Sequence, residues 1–116
     1  MDEDLGPFLP LAPAALHILL CLAAEPRHGY GIMQEVARQS EGQYKLGPGT
    51  LYDNLQKLMD QGLVEEARRP PADDPRRRYY ALTGFGRRVL EADVARLRRV
   101  VREATLRLRV PKPGRA

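Results

Sequence analysis

The chain has 116 residues, 43 % hydrophobic and 29 % charged, which suits one domain with a modest core and leaves little room for a second. Its one cysteine, Cys21, excludes an intrachain disulfide framework and is compatible with a reducing compartment. The net charge of +4 is unevenly spread: +3 over residues 68–78, +7 from residue 87 onward and −6 elsewhere, so a polyanion is drawn to two segments.

Residues 1–10 carry acids, Gly and Pro, and are expected to form a flexible N-terminus. The apolar stretch from Leu9 to Ala24 follows Asp2, Glu3 and Asp4 and is interrupted by Pro10 and Pro13. It therefore predicts neither an export signal nor a membrane span, and the expectation is a soluble, cytoplasmic protein. Pro13 suits a first helical turn, and Ala14–Ala24 is apolar on nearly every face, the pattern of a buried helix. A second helix is predicted from Gly29 to about Ser40, with Ile32, Met33, Val36 and Ala37 on one stripe. Tyr44-Lys45-Leu46 alternates like a very short strand.

The third helix has the clearest limits, Gly47-Pro48 at its start and Gly62 as its C-terminal cap. Leu51, Leu55, Leu58 and Met59 form its core-facing stripe. Thr50, Asp53, Lys57 and Asp60 lie on the far side, flanked by Asn54, Gln56 and Gln61. Leu63–Glu66 and Arg78–Leu82 predict two strands of a hairpin around a Pro-rich, Arg-rich loop. Thr83 is a natural N-cap for a last helix reaching about Leu108, before Pro111. Along it Leu90, Val94, Leu97, Val101, Ala104 and Leu108 recur at spacings of 4, 3, 4, 3 and 4, a heptad seam suited to pairing with a second copy.

The expected fold class is therefore mainly α with a small β-hairpin: a winged helix-turn-helix plus one long C-terminal dimerisation helix. Residues 11–82 make the winged domain, 83–109 the dimerisation helix and 110–116 a flexible tail. A helix with a buried apolar stripe and a polar outer face can enter the major groove and meet base edges. A basic hairpin loop beside it can reach phosphates, and Arg76, Arg77 and Arg78 are placed for that task.

The residues themselves resemble the PadR-like transcriptional regulators. The matching strings are His28-Gly29-Tyr30, Gly49-Thr50-Leu51-Tyr52 with Leu55 and Leu58, Gly62-Leu63-Val64, and Arg77-Arg78-Tyr79-Tyr80-Ala81-Leu82-Thr83 followed by Gly86. They span roughly His17 to Leu97, and the single helix after the wing resembles the compact branch of the family. The resemblance implies a homodimer whose C-terminal helices pack together and against the partner's first helix. It also implies binding to a pseudo-palindromic operator in double-stranded DNA, repression, and release by a small aromatic or drug-like effector. Carried over by position, Thr50, Tyr52 and Lys57 lie near DNA, Lys45 just ahead of them, and Arg76, Arg77 and Arg78 in the wing. Where many members have Pro and a small residue after the tyrosine, this chain has Asp53-Asn54, and Asn54 is a candidate reader of adenine. Multidrug-binding members stack planar ligands on a tryptophan of the last helix; this chain has no Trp, and Leu97 stands near that position.

Other features have plainer readings. Tyr80 is expected to pack, Gly49 and Gly62 to serve the backbone, and His28 to start a helix. His17 and Cys21 lie one helical turn apart, but no further ligands follow, so no metal or cofactor site is expected. No catalytic triad, phosphate loop or metal quartet is present to suggest an enzyme. The alternative function is a winged helix that binds another protein rather than DNA.

Overall fold

The computed structural model describes residues 4–109, so the expected tail at 110–116 and the first three residues lie outside it. The elements run α1 (Pro13–Ala24), β1 (Arg27–His28), α2 (Gly29–Gln39), α3 (Pro48–Asp60), β2 (Val64–Ala67), β3 (Tyr79–Leu82) and α4 (Gly84–Arg109). The fold is mostly helical with one small antiparallel sheet in the order β1-β3-β2.

Each helix begins or ends where its residues require it. Pro occupies the first turn of α1 and of α3, where a missing N–H costs nothing. At the end of α3, Gly62 adopts a φ of +78° and the amides of Gly62 and Leu63 close on the carbonyls of Met59 and Leu58 at 3.0 and 2.9 Å. That is a Schellman cap, sealed by Leu58 and Leu63, both buried. Thr83 caps α4 by accepting from the Gly86 amide at 2.9 Å, and its hydroxyl donates to the Gly62 carbonyl at 2.6 Å, tying the two helix ends together.

Two elements differ from the sequence expectation. Tyr44–Leu46 is not a strand, because Ser40 Oγ takes its backbone: the oxygen accepts from the Tyr44 amide at 3.0 Å, and the one hydroxyl hydrogen is shared between the Val36 and Tyr44 carbonyls at 2.8 and 3.0 Å. The Tyr44 ring stacks on His17 at 4.8 Å and Leu46 is buried, which fixes the segment without a ladder. The third strand is instead Arg27–His28, paired with Tyr80 and Tyr79. The N-terminal segment also differs. Gly6–Phe8 forms a 3-10 turn, Phe8 meets Phe85 of α4 edge-to-face at 5.3 Å, and Leu5 and Leu9 pack on the core.

The core is one cluster. Ile18 and Leu19 of α1, Ile32 and Val36 of α2, Leu51 and Leu55 of α3, Leu63 before β2 and Val89 of α4 are almost wholly buried. Burial of each such side chain stabilises by about 1.5–3 kcal/mol. Cys21 belongs to this core; its thiol lies against the Ile32 carbonyl, and burial pushes its pKa up to about 11, which leaves it protonated and unreactive. His17 is likewise engaged, with Gln39 Nε2 3.1 Å from its Nδ1.

The sequence seam on α4 divides in two. Leu90 is buried in the chain's own core and Val94 packs against it. Leu97 is half-buried, while Val101, Ala104 and Leu108 are exposed, Leu108 at 86 %. Val100 and Leu106 share that exposure, and Leu20 on α1 is the exposed large apolar residue of the first helix. The far half of α4 thus stands clear of the domain. The radius of gyration is 17.5 Å, against about 13 Å for a compact domain of this length. Among the described residues no helix is long and apolar enough to cross a membrane.

Candidate nucleic-acid interface

The apolar stripe of α3 fixes which of its residues face out. Leu51, Leu55 and Leu58 are buried, so Thr50, Tyr52, Asp53, Gln56, Lys57 and Asp60 are exposed. Lys45, just before the helix, is exposed as well, and among the described residues nothing lies within 4 Å of the point where a Cβ on Gly49 would sit. Gly49 has no positive φ either. Its expected backbone role therefore has no counterpart among the described residues, whereas Gly62 has one.

The exposed residues of α3 fall on two flanks. Tyr52 projects towards the N-terminus of α2, where its hydroxyl lies so near Gly29 that a Cβ there would overlap it. Tyr52, Arg76, Arg77, Arg78, His28, Gly29, Tyr30 and Tyr80 together line a cleft of about 300 Å³. The structure thus gathers the wing arginines and one α3 residue around a single feature. Asn54 lies two residues, hence about 200°, around the helix from Tyr52. It is half-buried, its amide donates to the Thr50 carbonyl at 2.8 Å, and with Lys57 it lines a separate depression against Pro7–Ala12. Thr50 and Lys45 line neither feature.

Arg76, Arg77 and Arg78 are each held by a carboxylate of the wing. Arg76 pairs with Asp74 at 3.1 Å, Arg77 with Asp73 at 3.0 Å and Arg78 with Glu66 at 2.9 Å. The Tyr79 hydroxyl donates to Asp73, and that bond, the Asp74 amide and Arg77 hold the Asp73 carboxyl below its usual range. The Arg76 guanidinium, with its backbone amide, does the same for Asp74. These exposed pairs are worth little to stability; they hold the loop in shape and keep the guanidinium groups extended beside α3.

Besides Gly29, three cleft residues carried no site expectation. His28 starts α2 as expected: its Nδ1 accepts from the Gly31 amide at 3.1 Å, and its ring meets Tyr79 edge-on at 5.3 Å. Tyr30 is 61 % exposed at the cleft rim. Tyr80 is 4 % exposed, as a packing residue would be, yet it reaches the cleft. The string His28-Gly29-Tyr30 was the available signal for the first two.

Residues 18–92 match the model of the family described as "Transcriptional regulator PadR-like family". The chain belongs to the PadR-like family. Among curated relatives, this PadR-like chain is 37 % identical over 92 residues to the transcriptional regulator Rv3488 of Mycobacterium tuberculosis, covering 79 % of this chain and 82 % of that one. Among solved structures, a PadR family transcription regulator from Clostridium difficile R20291 superposes with a TM-score of 0.70 at 22 % identity, over 84 % of this chain and 99 % of that one, and speaks for the fold. A PadR-like transcription factor from Bacteroides fragilis gives a TM-score of 0.59 at 30 % identity, over 78 % and 87 %. The winged helix with a long C-terminal helix is thus a DNA-binding fold of transcription regulators.

Proposed function

We propose that this PadR-like chain is a homodimeric, cytoplasmic repressor that reads a pseudo-palindromic operator and is released by a small, aromatic effector. The observation that carries the DNA half is the meeting of α3 with the wing: Arg76, Arg77 and Arg78 line one cleft with Tyr52, while the other outward residues of the helix, Thr50 and Lys57 among them, are exposed outside it. In this reading α3 enters the major groove, Thr50, Tyr52 and Lys57 meet bases or nearby backbone, and Lys45 and the arginines bind phosphates. Asn54 reads a base from the edge of that face, with one amide N–H engaged on the Thr50 carbonyl. The pairing half is supported by the exposed apolar residues of α4 and by Leu20 of α1, which together suit a partner's helices. Release by an effector then requires a ligand that binds the dimer more tightly in a spacing that does not fit DNA.

The test is binding to duplex DNA as salt is raised. Affinity is expected to fall steeply between roughly 50 and 200 mM salt, as phosphate contacts release counterions. The double change Arg76→Ala, Arg77→Ala should weaken binding to all sequences and flatten the logarithmic salt slope by about two, one per lost contact. An unchanged slope removes the wing from the interface. Binding indifferent to salt and to added DNA would instead support a winged helix that engages another protein.

A further inference from the structure

We propose that the cleft between α2, α3 and the wing is a seat for a single phosphate group. Tyr80 carries the inference. It is 4 % exposed, it lines the cleft, and among the described residues its hydroxyl has no hydrogen-bond partner. Its ring is buried while its hydroxyl opens on the cleft, where it is left to bond a ligand. The hydroxyl of Tyr52 also lacks a protein partner among the described residues and stands over Gly29, where only a missing side chain leaves it room.

Three kinds of donor converge with these hydroxyls. The first turn of α2, an eleven-residue helix, presents amides that have no acceptor inside the helix; His28 takes that of Gly31, while Tyr30 stands at the cleft. Arg78 spends its Nε on Glu66, which leaves its terminal nitrogens without protein acceptors among the described residues. Arg76 and Arg77 border the cleft while pairing with Asp74 and Asp73. Hydroxyls, helix amides and a planar guanidinium form a donor set matched to phosphate oxygens, with Glu66, Asp73 and Asp74 holding the arginines at the rim. Its volume of about 300 Å³ admits one such group with room to spare. The phosphate can come from the DNA backbone, in which case the inference rests on the function proposed above, or from a free phosphorylated molecule.

The experiment uses the full chain and inorganic phosphate, titrated at constant ionic strength against chloride and followed by amide NMR. The Gly29 and Tyr30 signals should move saturably with phosphate and not with chloride. Tyr80→Phe keeps the ring and its packing, and should weaken phosphate binding about tenfold, the worth of a hydrogen bond to a charged group. Tyr52→Phe should weaken it in the same direction. If DNA supplies the phosphate, phosphate will compete with duplex DNA beyond the effect of equal chloride, and Tyr80→Phe will weaken DNA binding as well. If a free molecule supplies it, phosphate will still bind through these residues while DNA binding ignores Tyr80→Phe. Signals that respond equally to chloride, or phosphate binding unaltered by Tyr80→Phe, overturn the seat whatever the outcome for DNA.

Discussion

A single α-carbon decides how α4 meets the sheet. Gly86 is buried in the first turn of α4, and a Cβ there would overlap the Leu63 carbonyl, the same oxygen that accepts from the Thr83 amide at 3.1 Å. The obstacle is backbone, which cannot rotate away as a side chain can. Gly86→Ala should therefore destabilise the fold by about 2–3 kcal/mol, the usual cost of overpacking, seen as a lower denaturant midpoint in chemical unfolding. An unchanged midpoint would mean that α4 can slide without loss. The glycine was visible in the sequence only as part of the family string. Its reason was not, because it depends on a carbonyl twenty-three positions earlier being folded against it.

At the scale of elements, the wing is held by polar groups rather than by apolar burial. Between Ala67 and Tyr79 the loop relies on Asp73, Asp74 and their arginines, with Tyr79 donating to Asp73. A carboxylate whose pKa in the folded chain lies below its unfolded value stabilises at pH above that unfolded value. The contribution is lost as pH falls through the folded one. Both aspartates are shifted downward, so the wing should loosen on acidification below about pH 4, before the helices do. Hydrogen exchange or the Tyr79 ring signals, followed against pH, would register this. Asp73→Asn should reduce the pH response, and a loop that melts only together with the core would refute it. The helices were legible because their limits are written locally, in Pro13, Pro48, Gly62 and Thr83. The strands were legible only where alternation is real. Tyr44–Leu46 alternates, yet Ser40 occupies its backbone; Arg27–His28 has no pattern at all and becomes a strand because Tyr79 and Tyr80 lie alongside. The same holds for the candidate site: the arginines and Tyr52 could be read from position, but the cleft they line exists only after β3 brings Tyr80 beside α2 and α3.

For the whole molecule, the exposed half of α4 sets what assembly requires. Val101 is 63 % exposed, so Val101→Asp leaves the chain's own core untouched. It should retain the wild-type circular dichroism while sedimenting as a monomer, and should lose affinity for paired half-sites far more than for one. A variant that still sediments as a dimer would place the contact elsewhere on the surface. The length of α4 adds a mechanical consequence. Twenty-six residues at 1.5 Å each make a rod of about 39 Å. Pivoting such a rod by about 5° at its outer end carries the opposite end through about 3.4 Å, one base-pair step of duplex DNA. In a pair of copies joined at their tips, a tilt too small to disturb either domain is enough to put both reading heads out of phase with the groove.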